Sequence, residues 1–116
     1  MVVDILTDDE VDRIFQALAD RTRRDIVRRT MRDDASVSAL AQRYDMSFAA
    51  VQKHVAVLER AHLVTKQRRG REQLVRSNPA TVHRAHELLD RLESMWRDRL
   101  DRLGDLLQDP DHESEQ

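Results

Sequence analysis

The sequence predicts a mainly α-helical domain carrying a small β-hairpin, and three observations predict it. Segments of 3.6-residue apolar periodicity follow one another from residue 11 to residue 62, separated by short polar breaks. The pattern then changes around Arg68-Arg69-Gly70-Arg71, where β-prone residues flank a glycine turn. Beyond it, an apolar stripe runs in steps of three and four from Val82 to Leu107.

The first helix opens at Thr7-Asp8-Asp9-Glu10, a capping box in which Thr7 caps the amide of Glu10 and Glu10 reaches back. Its acidic first turn suits the positive end of the helix dipole. Val11, Ile14, Phe15 and Leu18 form its apolar stripe, so it runs to about Ala19. Asp20 or Thr22 caps a second helix, from Thr22 to Arg32, whose Ile26, Val27 and Met31 face inward. Asp33-Asp34-Ala35 is a loop, and Ser36 or Ser38 caps a third helix burying Leu40, Ala41 and Tyr44. After a break at Tyr44-Asp45-Met46, Ser47 caps a fourth helix that ends near Arg60-Ala61-His62.

In that fourth helix Val51, Val55 and Leu58 commit one face to a core. The opposite face, near its start, offers Ser47, Phe48, Ala49, Gln52 and Lys53, with His54 beside them. Such a small, polar and basic surface suits the major groove of DNA, where side chains reach base edges. A short helix, a tight break and a second helix with a clean outer face make a helix-turn-helix. Two short strands, at Leu63-Val64 and Gln73–Arg76, then form a hairpin, the wing of a winged helix. Arg68, Arg69 and Arg71 make its tip basic, as phosphate or minor-groove contact requires. Asn78 caps the last helix, with Pro79 at its first position.

Charge is unevenly divided along the chain. The net charge is −2. Residues 1–20 carry one base and six acids, and residues 79–116 carry five bases and ten acids, so each end is at −5. Residues 21–78 hold fourteen Lys/Arg against six acids, a balance of +8 around the helix-turn-helix. It is the local cluster, not the whole-chain sum, that sets the field facing a phosphate backbone. The absence of cysteine excludes disulfides and thiolate metal sites. No apolar run approaches the ~18 residues of a membrane span, and nothing in the N-terminus directs export, so a cytoplasmic location is expected.

A domain of this size has too little core to cover the stripe from Val82 to Leu107. A second copy across a two-fold axis is the expected cover, meeting Leu89, Leu92, Trp96, Leu100 and Leu103 on the last helix. Val11 and Phe15 on the first helix complete the expected interface. The alternative is that the last helix folds back on its own domain. Residues 1–107 are thus expected to form one DNA-binding and dimerisation domain, and residues 108–116 a disordered acidic tail.

Three stretches, in order, carry a resemblance. Phe15–Arg29 resembles the "ALADPTRRRIL" segment of ArsR-family winged-helix repressors, with Arg21 where proline is usual. Ala49–Val64 resembles that family's "SxVSxHLxxLxxAGLV" recognition-helix segment, and Arg68–Ala80 its wing and exit. The run from Trp96 to Leu103 is similar to one cysteine-free branch. The resemblance implies a homodimer that binds a roughly palindromic operator on double-stranded DNA and represses by occluding a promoter. It places base reading on Ser47, Phe48, Ala49, Gln52 and Lys53. Gln52 stands where serine is usual, and a glutamine pairs bidentately with adenine, so a different operator is expected. Phe48 and Ala49 suit a thymine methyl. His62 stands where glycine is usual, a place that often needs positive φ, so an altered helix exit is expected.

Many members of that family sense metals. Here the third helix has no thiolates, and neither His83 nor His86 starts the Asp-x-His, ten residues, His-x-x-His/Glu pattern of the last-helix site. Starting at His83 gives Ser94 and Arg97 at the later positions, and starting at His86 gives Arg97 and Leu100. His83, His86, Asp90 and Glu93 remain as a weaker set, spaced three, four and three. No metal or cofactor is therefore expected, and the inducer is left open. No nucleophile–base pair or phosphate-cradling glycine loop supports an enzyme. The alternatives are a winged-helix protein-interaction module without DNA binding, and a metal-responsive repressor using His83 and His86.

Overall fold

The computed structural model describes residues 6–115, with side chains from 6 to 107. The element order is α1 (Asp8–Leu18), α2 (Arg21–Arg32), β1 (Ala35–Ser36), α3 (Val37–Arg43), α4 (Phe48–Arg60), β2 (Val64–Arg69), β3 (Glu72–Ser77) and α5 (Pro79–Glu115). The chain divides within α5, after Ala85, into two units that are taken separately. The expected tail over 108–116 lies outside the residues whose side chains are described.

In the first unit the helices start where short polar side chains meet orphan amides. Thr7 Oγ1 accepts from Glu10 N at 3.1 Å while Glu10 Oε1 accepts from Thr7 N at 2.9 Å, closing the capping box. Asp20 caps α2 through Arg23 N, Ser36 caps α3 through Ala39 N, and Ser47 caps α4 through Ala50 N. The C-terminus of α1 is satisfied from the next helix. Arg23 donates to Ala17 O at 2.7 Å and to Gln16 O at 3.0 Å, and Arg24 donates to Leu18 O at 2.7 Å.

The core gathers Ile14, Ile26, Leu40, Val51, Val55, Leu58, Leu63, Val64 and Val75. Two expected faces are rotated from those inferred. On α1 the buried positions are Ile14 and Ala17, with Leu18 half-buried and Phe15 37 % exposed. On α2 Thr30 is buried and Met31 is 48 % exposed. The face of α2 is centred on Ile26, so Thr30, one turn on, points in, and Met31 lies about 140° away. Burial of Thr30 is tolerated because its hydroxyl donates to Ile26 O at 2.8 Å. On α3, Val37 joins Leu40 in the core, while Ala41 and Tyr44 are half-buried.

The expected loop at Asp33-Asp34-Ala35 ends in a strand. β1 pairs antiparallel with β3, Ala35 opposite Val75 and Ser36 opposite Leu74. The sheet order is β1-β3-β2, so the wing is a three-stranded sheet whose hairpin strands are longer than inferred. Gly70, with φ 62°, occupies the first position of the two-residue turn joining Arg69 to Glu72, as a II′ turn demands.

The exit of α4 corrects a further expectation. His62 adopts φ 61°, the conformation glycine would take. Leu63 N donates to Leu58 O at 3.0 Å and His62 N to Glu59 O at 2.9 Å, the two bonds of a Schellman motif. Asn78 holds this turn from the far side, its Nδ2 donating to His62 O at 3.1 Å and its N to Leu63 O at 3.0 Å. The helix therefore ends as it would with glycine, because the surrounding hydrogen bonds outweigh the strain of a side chain at positive φ.

The second unit, from His86 onward, is the continuation of α5. Its Leu89, Leu92, Met95, Trp96, Leu100, Leu103, Leu106 and Leu107 are all exposed. Arg99 lies over the Trp96 ring at 5.6 Å, and Arg97 pairs with Glu93 at 3.0 Å. Among the described residues no helix is long and apolar enough to cross a membrane.

Candidate nucleic-acid interface

Cap and core together aim α4. Ser47 fixes where the helix starts, and burial of Val51, Val55 and Leu58 fixes its rotation. The same rotation leaves Ser47, Phe48, Ala49, Gln52 and Lys53 exposed, with Phe48 46 % accessible. Phe48, at the first position of the helix, stands outside the core.

The start of this helix and the wing meet. Phe48 and Gln52 line a groove of about 240 Å³ together with Arg68, Arg71, Glu72 and Gln73 from the wing and Val37 and Ser38 from α3. Four of these eight were read from the sequence as DNA-facing; Val37, Ser38, Glu72 and Gln73 were not, Ser38 having been read only as a possible cap of α3. Arg69 is exposed on β2 opposite Glu72 and does not line the groove.

His54 is placed differently from its neighbours. It is half-buried, with Nδ1 3.3 Å from Arg23 Nη1 and 3.8 Å from Asp20 Oδ2. It therefore ties α4 to the α1–α2 corner instead of joining the exposed face. The Arg23 amide that Asp20 caps holds the Asp20 carboxyl below its usual range, and His54 adds to this. Arg23 is thus a positioning residue that sequence reading saw only as part of a basic run.

A second network orients the helix-turn-helix from behind. Tyr44, at the end of α3, donates to Asp25 Oδ2 at 2.6 Å, and Arg29 Nε donates to the same oxygen at 2.7 Å. Arg28 Nη1 takes Asp25 Oδ1 at 3.1 Å. The phenol and the Arg29 guanidinium hold the Asp25 carboxyl below its usual range. Burial first, and the bond to Asp25 second, push the Tyr44 phenol up to about 12. The wing is held by Arg76, whose Nε and Nη2 both donate to Asp34 Oδ2, at 3.1 and 2.8 Å. Lys66 on β2 pairs with Glu59 on α4 at 3.3 Å.

On α1, Val11 is half-buried and Phe15 exposed; on the second unit Leu89, Leu92, Trp96, Leu100 and Leu103 are exposed. Among the described residues no group of three or more His, Asp or Glu is placed to hold a metal, the His83, His86, Asp90 and Glu93 set included.

Comparison with known proteins agrees with this geometry. A family model described as a helix-turn-helix domain matches residues 18–67, from the end of α1 into the wing. The chain is 38% identical over 80 residues to the HTH-type transcriptional regulator Rv2034 of Mycobacterium tuberculosis, covering 69% of this chain and 75% of that protein. The ArsR-like transcriptional regulator from Rhodococcus sp. RHA1 superposes with a TM-score of 0.76 at 33% identity, over 84% of this chain and 92% of that one. A homodimeric winged helix-turn-helix DNA-binding domain from Mycobacterium bovis shares the fold, with a TM-score of 0.57 at 24% identity over 87% of this chain and 91% of that one.

Proposed function

We propose that this chain, which belongs to the ArsR family of winged helix-turn-helix transcriptional regulators, is a homodimeric, sequence-specific repressor that occludes a promoter. One observation carries the reading: the exposed start of α4 and the basic wing line a single groove. Two copies of α4, one per subunit, enter successive major grooves of a roughly palindromic operator about one turn apart. Gln52 pairs with adenine, Phe48 and Ala49 meet a thymine methyl, and Ser47 and Lys53 complete the base-reading surface. Arg68, Arg69 and Arg71 hold the flanking backbone. The dimer is closed by the apolar face of α5, from Leu89 to Leu103, with Val11 and Phe15 of α1. Its exposed leucines and Trp96 form the kind of contiguous apolar surface that marks an interface.

The test separates base reading from backbone contact. Operator sites are selected from a random duplex pool, and affinities are then measured against salt. Gln52→Ala weakens the selected site by about 1–3 kcal/mol per bidentate contact and leaves random duplex unchanged. Arg69→Ala weakens both alike and makes the salt slope shallower. If no duplex binds even at low salt, the chain is a protein-interaction module and the proposal fails. If both variants act equally on selected and random DNA, the division of roles is wrong.

A further inference from the structure

Behind the helix-turn-helix, α2 and α3 border an open groove of about 560 Å³ whose lining is mostly charged. Arg28, Arg29, Arg32 and Arg43 converge on it, with Asp25, Asp33 and Asp34. Four guanidinium groups face three carboxylates, of which Asp25 and Asp34 are engaged and Asp33 makes no ion pair among the described residues. Asp25 is shared between Arg28 at 3.1 Å and Arg29 at 2.7 Å, and Asp34 is taken by Arg76 of β3 at 2.8 Å. Arg32 and Arg43 make no ion pair among the described residues.

Four guanidinium groups lining one groove repel one another, and of the four only Arg28 and Arg29 are held there by a carboxylate, Asp25. Asp25 fixes Arg28 and Arg29, Tyr44 fixes Asp25, and the Arg29 guanidinium lies 5.9 Å from the Tyr44 ring centre. Each guanidinium carries five donors in a rigid fork, of which Arg28 and Arg29 each spend one on Asp25. Preset forks of this kind are what carboxylate and phosphate groups bind bidentately. The volume lies within the roughly 300–1,000 Å³ of small-molecule sites.

We infer that this groove binds a small oxyanion of two or more charges, a phosphorylated or polycarboxylate molecule, and that α3 carries its occupancy to the recognition helix. The link is Tyr44. It closes α3 three residues before Ser47, the cap of α4, and its phenol is anchored on the same Asp25 that holds Arg28 and Arg29. An anion that draws either guanidinium from Asp25 changes the anchor of the turn. The regulatory half rests on the proposed function; the binding half does not.

Pyrophosphate and citrate, titrated separately into the full chain at ionic strength fixed with sodium chloride, test the binding half without DNA. At least one gives saturable calorimetric binding and a rise in Tm of roughly 10 °C at a hundredfold excess over Kd. The Arg32→Ala/Arg43→Ala variant removes two exposed, unpaired side chains, so it melts as the parent does without anion and loses the response. No rise beyond that of chloride, or an equal rise in the variant, overturns the site. A parent chain that shows no anion effect, with a variant that binds random duplex more weakly and with a shallower salt slope, makes the groove a DNA-backbone contact instead. Saturating anion changes operator affinity by roughly fivefold or more; unchanged affinity with retained anion binding overturns the regulatory half alone. Loss of all DNA binding with intact anion binding would refute the repressor reading and leave the site standing.

Discussion

Replacing His62 with glycine removes the one non-glycine residue at positive φ, 61°, among the described residues. A side chain in the left-handed region costs about 1–2 kcal/mol relative to glycine. Against that gain stands the larger unfolded-state entropy of glycine, roughly 0.5–1 kcal/mol. The imidazole is exposed, and the bonds that form the turn use only the backbone of His62, so they survive the substitution. His62→Gly therefore stabilises the chain by about 0.5–1 kcal/mol. Urea unfolding at fixed protein concentration reads this as a higher midpoint with an unchanged slope. His62→Ala is the control, since it removes the ring and keeps the strained Cβ. An unchanged or lower midpoint for His62→Gly, or an equal gain for His62→Ala, refutes the argument from backbone strain.

Arg21 occupies the first helical position of α2, and Asp20 before it is already extended at φ −104° and ψ 134°, as a following proline requires. Arg21→Pro is expected to raise stability by about 0.4–1 kcal/mol in the same assay; a loss would show that the Arg21 side chain holds something. The carboxyls of Glu10, Asp20, Asp25 and Asp34 are held low by Thr7, Arg23, Tyr44 and Arg76 respectively. Their contribution is complete above the unfolded values, about 3.9–4.3, and is lost as pH falls through the lower folded ones. Stability is thus expected to drop below about pH 4, with a shallower acid limb in Asp25→Asn; an unchanged limb counts against the Tyr44–Asp25–Arg29 network. Tyr44 is the single tyrosine, so alkaline absorbance titration reads it alone. Its midpoint is expected near the folded value of about 12, and a midpoint near 10 while far-ultraviolet dichroism is still native would contradict its placement.

The helix starts were legible because capping is local chemistry: Thr7, Asp20, Ser36 and Ser47 each act on an amide three residues away. The core face of α4 was legible because three β-branched or branched apolar residues repeat within one helix. What escaped reading depends on distant chain. Ala35-Ser36 is a strand only because Leu74 and Val75 lie beside it, and two residues carry no periodicity. Met31 and Thr30 exchange places because the neighbours of α2, not its own pattern, decide which side of Ile26 is covered. The exposed face of α4 was read correctly residue by residue except at His54, whose partners Asp20 and Arg23 sit on another helix. The positive φ of His62 likewise depends on Asn78, sixteen residues further on.

The sheet order β1-β3-β2 leaves the outer edge of β2 without a described strand beside it. Such an edge is a template for pairing with another chain, and charged side chains are the usual deterrent. β2 carries Lys66, Arg68 and Arg69 along six residues. Arg68 and Arg69, proposed to grip DNA, are thus also charges of the kind that deter pairing along this edge. Variants that neutralise β2 with valine or isoleucine would strengthen the strand while stripping its protection, and precipitation would then pass for lost recognition. Alanine, poor in strands, separates the two effects.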